Sequence, residues 1–324
     1  MKQLLGLSLF FFLSCAAQDQ SLQYAKEIHQ DDLKSLLYVY ASDYFEGRRT
    51  GTIGQRRATD FLRHFYQSHQ IEAAKGTDDY FQNMELPVDG IKVKTQNVVA
   101  IIPGEQLPNE YIVLSSHLDH LGMKNGVIFN GADDDGSGTV ALLEIAAAFQ
   151  KAKKEGNGPK RSIVFLHVTG EEENLLGSKY YTNNPLYPLA QTIANLNVDM
   201  IGRIDPKRNN PNPNYIYLIG ADRLSQELHD LSELMNTKYS QLELDYTFND
   251  ENDPNNFYTR SDHYNFAKKN IPIIFYFNGT HEDYHRASDT PEKINYELLQ
   301  KRTQLIFHTA WELANRKNRI QLKQ

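Results

Sequence analysis

Cysteine is almost absent from this chain of 324 residues: Cys15 is the only one. A single thiol closes no intramolecular disulfide, so stability has to come from the packed core and from any metal the protein binds. Long apolar runs are equally scarce. The one at the start, Leu4 to Leu13, is too short to span a bilayer permanently. There is no block of one charge sign either. The 34 Lys and Arg against 41 Asp and Glu leave the chain mildly acidic, which argues against nucleic acid as its natural partner. No segment repeats, and no linker is long enough to force a domain boundary.

What is present begins with an export signal over residues 1–17. Lys2 is its basic start, Leu4 to Leu13 its apolar centre, and Ser14-Cys15-Ala16-Ala17 its small-residue end. Two processing routes fit. Leu13-Ser14-Cys15 resembles a lipobox, which places cleavage before Cys15 and a lipid anchor on its thiol, although Phe12 is bulkier than the residue usual there. Cys15-Ala16-Ala17 also fits ordinary cleavage after Ala17. The expectation is a periplasmic or cell-surface lipoprotein, otherwise a secreted protein, whose one link to a membrane is Cys15. Residues 18–324 read as one domain, ordinary in composition at 40% hydrophobic and 23% charged.

Within it, apolar periodicity predicts helices over Leu33 to Tyr40, Gly54 to Tyr66, Thr139 to Lys153, Arg223 to Lys238 and Tyr296 to Arg316. Runs of strand character cover Asn97 to Ile102, Tyr111 to Ser116, Ser162 to Val168, Ile193 to Val198, Tyr215 to Ile219 and Pro272 to Phe277. This alternation predicts an α/β fold with a mixed, mostly parallel central sheet flanked by helices on both faces. The polar stretches Asp205 to Asn214 and Asn249 to Asn256 follow strands and read as loops that could wall a cleft.

Chemistry-bearing residues recur where the strands end. His117 follows the strand at Tyr111, Asp134 sits in the acidic triplet before Gly136-Ser137-Gly138, and Glu171-Glu172 follows the strand at Ser162. Asp199 closes the strand at Ile193, and His285 lies in the loop after Phe277. Open α/β sheets carry their sites beyond the carboxyl ends of strands, so this placement points to one shared site. Imidazole and carboxylate suit zinc, and hydrolytic zinc pairs sit about 3.5–4 Å apart with a bridging group. With Asp134 bridging, His117 and Asp199 complete one metal, while Glu172 and His285 complete the other. Three carboxylates and a bridging hydroxide then balance two dications.

Singly, each residue has an ordinary explanation. A histidine after a strand is usually a surface or core residue, and the triplet Asp133-Asp134-Asp135 suits a helix N-terminus. Glu171-Glu172-Glu173 suits a solvated helix start, and Asp199 a turn. Those explanations leave the joint occurrence at successive strand ends unaccounted for. Glu171, next to a ligand, fits a general base that takes a proton from the attacking water and returns it to the leaving amine. Asp119, two residues after His117, fits a carboxylate that orients a ligand histidine. Asp289 fits the same task for His285, or a turn cap. Tyr284 fits a donor to a developing oxyanion, or an ordinary loop tyrosine. His281-Glu-Asp-Tyr-His285 also matches H-E-x-x-H, but that motif needs a helix, and no apolar helical face surrounds it here.

The segments His117-Leu-Asp-His-Leu-Gly122, Gly131-Ala-Asp-Asp-Asp-Gly-Ser-Gly138, Glu171-Glu-Glu-Asn-Leu-Leu-Gly-Ser178, Asn197-Val-Asp-Met-Ile-Gly202 and His285-Arg-Ala-Ser-Asp-Thr290 resemble those of the co-catalytic zinc aminopeptidases. Their superfamily includes glutamate carboxypeptidase II, glutaminyl cyclases and the transferrin receptor. Tyr44 to Gly51 and Asp79 to Gln82 extend the resemblance toward the N-terminus. Aligned on Ser137-Gly138, Asp134 matches the bridging ligand. Aligned on Gly177-Ser178, Glu171 matches the base and Glu172 the ligand. Asn174 stands where the family usually has Gly, and Asn tolerates left-handed backbone. Gly136 stands where it often has Ala. The resemblance implies a phosphorylase/hydrolase-like zinc exopeptidase domain, two zinc ions, and peptide substrates with a free N-terminus. A single-zinc glutaminyl cyclase is the enzymatic alternative, and a metal-bearing surface protein without activity the non-enzymatic one.

Overall fold

The computed structural model describes residues 19–323, so the export signal and Cys15 lie outside the described residues. Three helices come first: α1 (Gln20–Ala25), α2 (Gln30–Tyr40) and α3 (Ile53–Ser68). Strands β1 (Glu72–Ala73), β2 (Phe81–Val88), β3 (Ile91–Ile102) and β4 (Leu107–His117) follow, with a small hairpin of β5 (Gly122–Lys124) and β6 (Val127–Phe129). The chain then alternates through α4 (Gly138–Lys154), β7 (Arg161–Val168), α5 (Leu176–Asn183), β8 (Thr192–Val198), β9 (Tyr215–Ile219) and α6 (Gln226–Met235). It ends with β10 (Glu243–Asp245), α7 (His263–Ala267), β11 (Ile273–Phe277) and α8 (Tyr296–Asn315).

The central strands β7, β4, β8 and β11 run parallel. Antiparallel β3 flanks β7 on one side, and antiparallel β9 flanks β11 on the other, carrying β10 in parallel at the far edge. The expected mixed sheet, parallel at its centre, is the one observed. Every residue of β7, β8 and β11 is buried, the condition of parallel strands covered on both faces, which explains why β11 reads as an unbroken apolar run, while β7 and β8 also bury His167, Asn195 and Asn197. Alternation divides the faces. Ile112 and Leu114 of β4 join Leu142 of α4 and Leu305 of α8, while Tyr111 and Val113 join Tyr181 of α5 and Phe266 of α7.

Several elements differ from expectation, two of them for an evident local reason. The helix expected over Arg223 to Lys238 begins only at Gln226, because Ser225 caps it by accepting from the Leu228 amide, and Arg223 reaches instead to the Asn249 carbonyl. Strand β2 was not expected at all. It contains Pro87, which an edge strand tolerates, and it pairs only with β3 through a turn in which Asp89 and Gly90 both have positive φ.

Candidate metal centre

The parallel register brings the ends of β4, β7, β8 and β11 level, and the site lies there. His117 is the last residue of β4, Asp199 follows β8 directly, and Glu171 and Glu172 stand in the turn after β7. Asp134 enters on the segment between Gly131 and α4. A Cβ on Gly138, the first residue of α4, would lie 2.4 Å from both the Asp135 carboxylate and the Val198 carbonyl, so only glycine lets the helix start this close to β8. Asp135 is the residue that meets the helix-start expectation. It accepts from the amides of His117, Gly138 and Met200, locking three ligand-bearing segments together.

The ligand atoms converge as two groups. Nε2 of His117 lies 3.1 Å from Oδ1 of Asp134 and 3.5 Å from Oδ1 of Asp199. Nε2 of His285 lies 3.1 Å from the other Asp134 oxygen, Oδ2, and 3.4 Å from Oε2 of Glu172. Tetrahedral zinc with bonds of about 2.0–2.1 Å sets neighbouring ligand atoms roughly 3.3 Å apart, which these separations match. The two oxygens of Asp134 thus serve different groups, as a bridging carboxylate must. Oδ2 of Asp134 and Oε1 of Glu172 are buried without a well-formed hydrogen bond among the described residues. Buried polar atoms left so are costly, and a cation removes that cost. By both spacing and donor type, the residues present fit zinc.

Electrostatics agree with the geometry. Burial opposes charge on His117, yet the Asp199 and Glu171 carboxylates and its contact with Asp134 hold its pKa well above the ordinary value. Burial likewise opposes ionisation of Asp134, but His120, His117 and His285 draw its carboxyl well below the usual range. Desolvation, followed by the Asp199, Asp262 and Glu172 carboxylates, pushes Glu171 well up against the pull of His117.

Supporting contacts set the orientations. Nδ1 of His117 donates to the Asp119 carbonyl at 3.0 Å, leaving Nε2 for a metal. The Asp119 carboxylate, 4.0 Å from that nitrogen, instead accepts from the Glu171 amide at 3.2 Å and from Thr50 at 2.9 Å. Asp119 therefore ties the ligand histidine to the Glu171 turn. Asp289 accepts from the amides of Asp133 and Asp134, so it caps the bridging turn rather than touching His285. Asn174 has a φ of 68°, the left-handed conformation expected of it. Tyr284 stacks on His285 with ring centres 3.9 Å apart, and burial above all keeps its phenol protonated. His281 donates to Asp133 at 3.1 Å, and residues 282–285 form turns rather than a helix, so the H-E-x-x-H reading fails.

Three contributors escaped sequence reasoning. His120 places Nδ1 2.8 Å from Oε1 of Glu172, and neither of its ring nitrogens has a hydrogen-bond partner among the described residues. With Asp134 and Glu172 it forms an alternative ligand group. Its spacing three residues after His117 was the available signal. Ser261 donates to Oδ2 of Asp199 at 2.6 Å and accepts from Asn197. Asp262 is fully buried beside them, its pKa pushed up to about 7 by burial and then by Asp119 and Asp199. Both lie in a polar stretch that carries no local mark of a site.

Residues 97–310 match the family model described as Peptidase family M28. A probable leucine aminopeptidase of Arthroderma otae is 26% identical over 301 residues, covering 88% of this chain and 77% of the relative. Among solved structures, the Legionella pneumophila LapA aminopeptidase superposes with a TM-score of 0.72 at 22% identity, covering 98% of this chain and 81% of that one. BSAP, a zinc aminopeptidase from Bacillus subtilis, gives 0.68 at 16% identity, covering 91% and 98%.

Proposed function

Because the chain belongs to Peptidase family M28, we propose that it is a zinc aminopeptidase that removes N-terminal residues from peptides. His117, Asp134 and Asp199 would hold one ion, and Asp134, Glu172 and His285 the other. The observation that carries this reading is Asp134, whose two oxygens face separate ligand groups. When bound, the ions supply a polarised scissile carbonyl and a water of lowered pKa.

The chain's own residues supply the rest. Glu171 lines the same cavity as His117, Asp134, Asp199 and His285. Its carboxylate would take the proton from the attacking water. The same carboxyl then returns the proton to the leaving amine. Tyr284, protonated and stacked on His285, donates to the oxyanion of the tetrahedral intermediate. The name of the fungal relative favours hydrolysis of peptides over cyclisation. Lys2, the apolar run to Leu13, and Cys15 support export, with a lipid anchor at Cys15.

Zinc-loaded protein is expected to release single residues from peptides with free N-termini and none from their N-acetylated forms. Glu171→Gln should lower that rate by about 10²–10⁴-fold, with zinc content by mass spectrometry unchanged. Equal cleavage of acetylated peptides would remove the aminopeptidase reading, and an undiminished rate in the variant would remove Glu171 from its role.

A further inference from the structure

Arg260 stands where two cavities meet. The inner one holds His117, Asp134, Glu171 and Asp199, walled by Phe257 and Phe277. The outer one is a basin of about 410 Å³ that shares Arg260, Phe257 and Tyr284 with it and adds Lys207 and Arg286. The guanidinium carbon of Arg260 lies 4.8 Å over the Phe257 ring, and Nη2 is 3.4 Å from the Tyr284 hydroxyl. Tyr284 in turn stacks on His285, so the cation is one residue removed from the metal ligands.

Surface cations are usually solvated and need no explanation. These three differ in being gathered on one basin that opens from the reacting centre, with none of them ion-paired among the described residues. Glu282, a carboxylate also lining the basin, lies 3.3 Å from Arg203, which pairs more closely with Asp283 at 2.9 Å, so the three cations stand against one carboxylate. The local excess is positive although the chain carries a formal charge of −7. An arginine fork matches a carboxylate in geometry as well as charge, and its aromatic support pre-orders it.

We propose that this basin binds a carboxylate carried by the peptide substrate, with Arg260 as the residue that reads it. The proposal rests on the peptidase reading and narrows its substrates to peptides with an anionic group near the scissile bond. That group has three sources: the N-terminal side chain, the next side chain, or the terminal carboxylate of a very short peptide. Three peptide pairs separate them: Glu-Ala-Ala-amide against Gln-Ala-Ala-amide, Leu-Glu-Ala-amide against Leu-Gln-Ala-amide, and Leu-Ala against Leu-Ala-amide.

In at least one pair the carboxylate member is expected to have a kcat/KM roughly tenfold higher, which corresponds to about 1.4 kcal/mol. Arg260→Gln should bring that ratio close to one, mainly through KM. The double variant Lys207→Gln/Arg286→Gln should reduce it partly, and added salt should shrink it, because the three cations are exposed. Ratios at or below one in all three pairs of the wild type, or a ratio unchanged by Arg260→Gln, would overturn the proposal while leaving the peptidase reading intact. No cleavage of any of the six peptides would remove both.

Discussion

His281 and His285 are four positions apart and look interchangeable as metal ligands in a linear reading. Their surroundings separate them. His285 approaches Asp134 and Glu172, whereas His281 is buried against Asp133, whose other oxygen accepts the Gly202 amide at 2.7 Å. His285→Ala should therefore lower bound zinc and abolish turnover. His281→Ala should leave zinc content unchanged and cost about 1–3 kcal/mol of stability through the unpaired Asp133 carboxylate. Loss of zinc from the His281 variant in a metal assay would reverse this assignment. The same residue-scale logic explains what could be read beforehand. His117, Asp134, Glu172, Asp199 and His285 each follow an apolar run, so their chain positions mark them. His120 carried only its spacing from His117 as a mark, and Asp262 is identified only by which atoms it faces across the fold.

At the scale of elements, the strands that carry ligands were legible because burial on both faces forces apolar residues into β4, β7, β8 and β11. Short elements such as β5, β6 and α7 have too few positions to leave a pattern. Tertiary contacts also hold the irregular segment behind Asp199. Arg302 of α8 is fully buried and donates to the carbonyls of Ile201, Arg203 and Tyr215 at 2.7–2.9 Å, joining helix, loop and β9. Arg302→Met should strand those three carbonyls and cost about 2–5 kcal/mol, read from the urea midpoint. A midpoint equal to wild type would show that water or a local shift satisfies them, and α8 would lose its role in fixing the loop.

For the whole molecule, buried titratable groups shape the dependence of stability on pH. Burial pushes His167 and His263 down to about 3 and His308 to about 4. An unfolded chain protonates these rings near pH 6.5, so their contribution is complete above that value and is lost as pH falls toward 3. Glu144 works in the opposite direction. Burial, with some help from Asp32, raises it to about 8, so the folded state holds a proton that the unfolded chain releases near 4.5. Stability attached to Glu144 is complete below about 4.5 and is lost as pH rises to about 8. Glu144→Gln should therefore gain in Tm over wild type as pH is raised from 5 to 9, measured on zinc-loaded protein. A gap that stays constant across that range would mean that Glu144 is ionised throughout.

Periodicity and spacing by themselves determined the α/β class and the strands whose ends carry His117, Glu171 and Asp199, because these follow from alternation along the chain and from which residue types end each strand. Only the tertiary structure decided that Asp134 turns its two oxygens to different groups, that His281 serves Asp133, that His120 reaches Glu172, and that three cations share a basin beside Tyr284. Those arrangements depend on contacts between segments far apart in the chain. Local propensity carries no information about which distant side chains will meet.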